Sequence, residues 1–422
     1  MSSPTGLSSV ALAALGFLVA MDVLGPLEGI RVLDCSGALG AYCTKLLANF
    51  GADVIKVEPP DGDELRHRPP FKGGIADVEK SLLHTYYHDN KRGVTLAASR
   101  PEAQRLLAEL SASSDVVVVS PGRDGHTIGF DDGTALVTAG GPWDQRNLVV
   151  CAISPLGLEG PNWRWRATPF TSYAMGGLMF VVGPPEGPPM AIPGQQAYDE
   201  AGIHGALAVL AALFDRAQVE GQVVDLSVHE VMASQDRSIE RFSTASLVTN
   251  RTTNFGPPPG GIWQCSDGRL DIASHSERHW AAFLETLGMP EELCDPLFAD
   301  RAMRVQLFDL VTELVTPLLA NVEVHDFVRR GQANGLPCAV FNSPESFLQD
   351  EQARSRNFFV ENDRPHTGKL EMPGTPYVTT PSSLISYRRP APLLGEHNEE
   401  IYGREMGHSV GTLREWRRDG LV

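Results

Sequence analysis

Two neighbouring acids, Asp199 and Glu200, stand in the stretch QQAYDEAGIHG, directly ahead of a long run of Ala, Leu and Val. A carboxylate in the first turn of a helix is favoured as the anion by exposed N–H groups and the helix dipole, and an ionised carboxylate is a nucleophile. The same physics makes Asp an ordinary N-cap. Residue type and position alone leave both readings open.

Three other constellations invite chemistry. Gly37-Ala-Leu-Gly40 follows an apolar strand pattern and Glu58 closes the next one, which resembles the arrangement that holds a dinucleotide pyrophosphate on backbone N–H groups and a ribose on an acid. The glycine set is incomplete, with Cys43 or Thr44 where close helix packing calls for glycine, so a plain βα turn is the commoner reading. The cations Arg66, His67, Arg68, Lys91, Arg92, Arg164 and Arg166 fall in loops or at element ends, where they either form a patch for a phosphate-bearing ligand or are solvated singly. His275 and His279 lie four apart, but SHSERHW has no acid at metalloprotease spacing and no G-x-S-x-G elbow occurs. No metal site is expected, and His204, inside an apolar helix, reads as a core histidine.

The elements that must position these residues follow from hydrophobic period. GIRVLDCSGALGAYCTKLLANFGADVIKVEPP reads as strand, turn, helix and strand, a βαβ unit and hence a parallel sheet. PEAQRLLAELSASSDVVVVS is a helix followed by a buried strand of four valines, and NLVVCAIS is another strand. Between Gly157 and Pro193 the chain turns to Gly, Pro, Trp and Arg, which marks loops. The helix after Asp199 runs to about Gln218 and is apolar nearly all round, so it is expected to be buried; QVVDLSV is a strand and Val231–Ser246 a helix. Residues 225–330 read as a smaller α+β lobe, with helices at His279–Leu287, Arg301–Leu319 and Glu323–Asn334.

At 422 residues the chain exceeds one small core. Hydrophobic residues make up 42% and charged residues 21%, an ordinary globular composition. A net charge of -17 repels nucleic acid and anionic lipid, so neither is expected as a partner. The six cysteines form no C-x-x-C pair, which fits a reducing cytoplasm. SSVALAALGFLVAM lacks the basic lead of a signal peptide and is too short to span a bilayer; Met21 opens a natural-looking start, so residues 1–20 are expected to be a disordered or misassigned extension.

Taken in order, PLEGIRVLD, GAYCTKLLANFGADVIKVEPPDGDELR, NKRGVTL, SDVVVV, GLEGP, YAMGGLMFVVGPPEGPP, LAALFDRAQVEGQVVDLSV, GRLDIA, GLPCAVFNSPE and APLLGEHNEEIYG resemble the family III CoA-transferases, the CaiB/BaiF family. The resemblance implies an α/β fold: a Rossmann-like parallel-sheet large domain from residues 22–224 plus 331–422, an inserted small domain at 225–330, and an interlocked dimer. It implies no tightly bound cofactor; coenzyme A, as acyl-CoA, is a substrate alongside an organic acid. CoA would lie near the first βα turns, with Gly40, Ala41, Lys56, Arg66, Lys91 and Arg92 as the implied binding residues. It further implies an aspartate that attacks the acyl-CoA thioester. Tyr198 occupies the aligned position and Asp199 stands one residue later, so two readings follow: Asp199 is the nucleophile, or the chain is a non-catalytic subunit whose paralogous partner carries the aspartate. Ala41 replaces the usual proline after the first-turn glycine, HDNKRG replaces NRNKRS, and GPPPGG stands where some members have a Gly-rich loop. Thr168 and Tyr198 match the His and Asp of the racemase branch, which argues against racemisation. Trp163, Trp165, Phe170 and Tyr173 hint at an apolar or aromatic acyl group.

Overall fold

The computed structural model describes residues 25–98, 100–121, 143, 148–184, 186–219, 221–235, 237–247, 251, 257–380 and 387–422. The expected N-terminal extension and Met21 lie outside the described residues.

Short apolar runs bounded by glycine and polar turns give six strands: β1 (Arg31–Cys35), β2 (Asp53–Glu58), β3 (Arg92–Thr95), β4 (Val116–Val119), β5 (Val149–Ser154) and β6 (Gln222–Ser227). They form one sheet in the order β3-β2-β1-β4-β5-β6, with every pairing parallel. This is the doubly wound order, in which the chain reverses direction across the sheet between β1 and β4. β1, β2, β4 and β5 are buried along nearly their whole length, as a parallel sheet covered on both faces requires.

Alternate residues serve the two layers. Val32, Val54, Val116, Val118, Cys151 and Ile153 meet α1 (Ala41–Asn49) and a long helix at Gln196–Asp215. Leu33, Ile55, Val57, Val117, Val119 and Val150 meet a helix at Pro101–Ala112 and the C-terminal helix Val410–Arg418. The edge strand β3 is covered by the C-terminal segment: Gly93 N–H donates to His397 Nδ1 at 3.1 Å and Thr95 N–H to Asn398 Oδ1 at 2.9 Å.

The chain divides into two compact units, one holding the chain to Met179, Met190–Glu240 and Phe358–Val422, the other Phe180–Pro189 and Arg241–Asn357. The expected boundaries of 225 and 330 are corrected at both ends. β6 is the last strand of the parallel sheet and the helix after it, Val228–Gln235, packs in the same core, so both stay with the first unit. At the other end Cys338–Val340 pairs antiparallel with Arg269–Ile272, which pairs with Gly261–Gln264, and this three-stranded sheet anchors 331–357 in the second unit. Its core joins Leu270 and Ile272 to Trp280, Phe283, Val311, Val315 and Phe327 from three helices.

Candidate active site

The first βα turn is built over buried charge. Asp34, in β1, is fully buried; its Oδ1 accepts from Ser36 Oγ at 2.7 Å and its Oδ2 from Thr44 Oγ1 at 2.6 Å and Lys91 Nζ at 3.0 Å. Burial alone would raise its pKa, but Lys91, Lys56, Thr44 and Ser36 hold it down to about 2. Lys56 Nζ pairs with Asp63 at 2.8 Å and also donates to the carbonyl of Ser36. Arg66 grips Glu58 through two bonds, Nε at 2.6 Å and Nη2 at 2.8 Å, and Arg92 pairs with Asp53, Glu400 and Glu405.

Three of the six expected CoA contacts, Arg66, Lys91 and Arg92, were read in the sequence as loop cations and have a different surrounding, and Lys56, inside β2, shares it. The charged heads of Lys56, Arg66 and Lys91 are buried and matched by carboxylates of this chain, and Arg92 is nearly so. Gly40 and Ala41 lie on the turn itself, where a Cβ on Gly40 would come within 2.5 Å of Ser36. Exposed cations occur elsewhere: Arg164 and Arg166 are exposed beside Trp165, which is 58% exposed, and Arg164 lies 4.4 Å from the Trp163 ring.

The helix that carries Asp199, here α2 (Gln196–Asp215), begins three residues before that acid, and the stretch expected from Asp199 to Gln218 is shifted accordingly. Gln195 is the N-cap and no side chain caps the helix; Asp199 N–H already donates to Gln195 O at 3.0 Å. Asp199 is not a cap. Two glycines let α1 and α2 touch: a Cβ on Gly202 would meet Cys43 N and Tyr42 Cβ at 2.8 Å, and one on Gly205 would meet Cys43 Sγ at 3.2 Å. Tyr42 directly follows the carboxyl end of β1 and its turn, so the start of α2 lies by the strand ends where doubly wound sheets hold ligands. A polar chain ties the two together: Ala38 N–H donates to Glu64, Glu64 pairs with Arg68, and Arg68 Nη1 donates to Gln195 Oε1 at 3.2 Å.

Consecutive residues of α2 face different partners. Tyr198 is buried and its Oη donates to the carbonyl of Ala167 at 3.2 Å, just before the helix Pro169–Met175. Asp199 accepts a 2.7 Å hydrogen bond at Oδ1 from Tyr87 Oη, and among the described residues it forms no ion pair. Desolvation, reinforced by Glu200 and opposed by the Tyr87 bond, raises its pKa to about 6. Its charge is felt by Tyr42, Tyr86, Tyr87 and Tyr173, whose phenols are all pushed up, chiefly by burial. The tyrosines at 86 and 87 were missed in the sequence, where consecutive aromatics in LLHTYYHDNK carry no periodic signal. No group of His, Cys, Asp and Glu among the described residues is arranged to hold a metal ion, and no described helix is long and apolar enough to cross a membrane.

The fold is thus a doubly wound parallel α/β sheet, with a partly desolvated carboxylate, Asp199, on the helix that packs against its first βα turn. The profile of CoA-transferase family III matches residues 27–398, and the chain belongs to that family. It is a CoA-transferase, acting alone or as a subunit. The chain is 29% identical to the formyl-CoA:oxalate CoA-transferase of Streptomyces coelicolor, over 94% of this chain and 99% of that one. It is 30% identical to the succinyl-CoA–L-malate CoA-transferase beta subunit of Chloroflexus aurantiacus, over 94% and 98%. Among solved structures, a CaiB/BaiF family protein from Brucella suis superposes with a TM-score of 0.78 at 23% identity, over 90% of this chain and all of that one.

Proposed function

We propose that the protein moves CoA from an acyl-CoA to a carboxylic acid through covalent intermediates on Asp199. An Asp199 oxygen attacks the thioester carbonyl and expels CoA thiolate, giving a mixed anhydride; the thiolate then attacks the aspartyl carbonyl, releasing the donor acid and leaving an aspartyl-CoA thioester. The acceptor carboxylate attacks that thioester and displaces the thiolate, which finally takes the acyl group from the new anhydride and frees Asp199. The observation that carries this reading is a carboxylate, near the strand ends, that no cation among the described residues neutralises. Ion-paired carboxylates are weak nucleophiles, whereas a half-desolvated one ionises above about pH 6 and attacks readily.

For the CoA moiety we assign the Gly40–Ala41 turn to the approach of the ligand and the exposed Arg164 and Arg166 to its phosphates, with Trp163 and Trp165 offering faces to adenine. Lys56, Arg66, Lys91 and Arg92 then act from beneath, holding the turn in shape. The ring of tyrosines around Asp199 favours an acyl group of apolar or aromatic character. The exposed stripe Ile203, Leu207 and Phe214 on α2, at 45%, 64% and 91% exposure, suits burial in a dimer, with a second copy or a paralogue as partner. Six free cysteines, five of them buried, suit a reducing cytoplasm.

A second reading, a non-catalytic subunit paired with a paralogue, draws on one observation: a relative at 30% identity is itself a beta subunit. One variant separates the two. Asp199→Ala should reduce CoA transfer by about 10³-fold or more while the protein stays folded. Unchanged transfer in that variant, in the presence of any co-purifying partner, overturns the nucleophile.

A further inference from the structure

A nucleophilic carboxylate must be held so that one oxygen faces the thioester, and among the described residues Asp199 has neither a cation nor a cap contact to hold it. Tyr87 fills that role geometrically. It ends the short helix Leu82–Tyr87, whose start is fixed by Ser81, which accepts from His84 N–H, and whose hydroxyl also donates to the carbonyls of Leu65 and Arg68. The Tyr87 ring is 6% exposed and wedged between two others: Tyr42 lies edge-on at 6.1 Å and Tyr86 edge-on at 5.2 Å. With its ring clamped, the phenol can aim at one place. Its Oη reaches Asp199 Oδ1 at 2.7 Å across 112 residues of sequence.

We propose that Tyr87 is a positioning residue for the transfer reaction: its phenol occupies Asp199 Oδ1 and leaves Oδ2 turned toward the acyl-CoA. The inference rests on the reading of Asp199 as nucleophile. Two consequences follow. A carboxylate held by one donor loses less rotational freedom on reaching the attacking geometry, which is where orientation lowers a barrier. The phenol also favours the charged over the neutral acid, so it keeps a desolvated carboxylate usable near neutral pH. The other groups that act with Asp199 do not supply this: Glu200 on the same helix opposes ionisation, and Tyr42, Tyr86 and Tyr173 are neutral; the nearby Arg68 pairs with Glu64 and donates to the N-cap residue Gln195.

The test is the pH dependence of kcat/KM for the full chain with acyl-CoA and acceptor acid. Wild type should lose activity on the acid side with a midpoint near the Asp199 value of about 6. Tyr87→Phe keeps the ring and removes the donor, so the acid limb should move to higher pH, with a loss of about tenfold at pH 6 that shrinks by pH 8. Replacement of Tyr87 by 3,5-difluorotyrosine strengthens the donor without changing the packing, and the limb should move to lower pH; this second variant decides the matter where Tyr87→Phe folds poorly. A phenol that merely fills space would lower activity equally at every pH, and an unmoved limb in the fluorinated protein overturns the proposal. Hydroxylamine trapping in wild type runs alongside. Absence of a modified Asp199 there removes the nucleophile, and Tyr87's role with it, whereas a modified Asp199 with an unmoved limb removes Tyr87 alone.

Discussion

Asp34 and Asp199 are carboxylates within one unit of the molecule, and their surroundings push them in opposite directions. Asp34 is wholly buried, yet two lysines and two hydroxyls hold its pKa down to about 2; Asp199 is less buried, yet among the described residues only the Tyr87 phenol favours its charge, and its pKa rises to about 6. Burial costs an anion a great deal unless it is matched. Where the chain needs a rigid turn, the match is complete. At Asp199, which we propose as the nucleophile, the match is withheld, and the cost of a poorly matched charge is left in place.

That contrast can be broken at either end. Asp34→Asn should cost about 2–4 kcal/mol of stability at pH 7 by stranding Lys91, read from urea unfolding. Because the folded pKa of Asp34 lies below its unfolded value of 3.8, its contribution is present above about pH 4 and fades as pH falls toward 2, so the gap between variant and wild type should narrow over that window. A gap that persists at pH 2 would mean that the charge of Asp34 is not what holds the turn.

Asp199→Asn should do the reverse. A folded pKa raised above the unfolded 3.8 means that ionisation disfavours the folded state, with the full penalty above about pH 6 and none below pH 4. The variant should therefore be more stable than wild type at pH 8 by about 1–3 kcal/mol and equal to it at pH 4, in the same unfolding measurement. Equal stability at pH 8 would show that Asp199 is better solvated than its surroundings imply.

The smallest effect is expected one residue earlier. Tyr198→Phe loses one hydrogen bond to the carbonyl of Ala167 and should cost about 1 kcal/mol, with transfer activity within about threefold of wild type. A collapse of activity without loss of stability would move the chemistry from Asp199 to the in-register position.

Much of the architecture was legible from period and punctuation. The βαβ unit, the four-valine strand and the strand at Val149–Ser154 read as they fold, because a parallel sheet buried on both faces leaves continuous apolar runs. The second unit's limit was not, since Cys338–Val340 is three residues long and its partner strand ends at Ile272, far back along the chain. One expected helix, Arg301–Leu319, is two, broken at Leu307. The burial of the cations was not legible for a physical reason: loop charge is ordinarily solvated, and here pairing buries it, of Lys91 with Asp34 far back along the chain and of Arg66 with Glu58 in the preceding strand. Lys56 did leave a trace, as a charge in mid-strand between valines and isoleucine, where a covered sheet forces an internal partner. Asp199 was visible as a candidate, but its separation from an N-cap depended on where the helix begins, which Gln195 and an irregular, proline-rich approach concealed.

The central claim is a bond between this carboxylate and an acyl or CoA group. The direct measurement is to incubate the chain with acyl-CoA, quench with hydroxylamine and map the modified residue by peptide mass spectrometry. The account predicts a hydroxamate on Asp199, absent from Asp199→Ala; an unmodified Asp199 in protein that is turning over would contradict it.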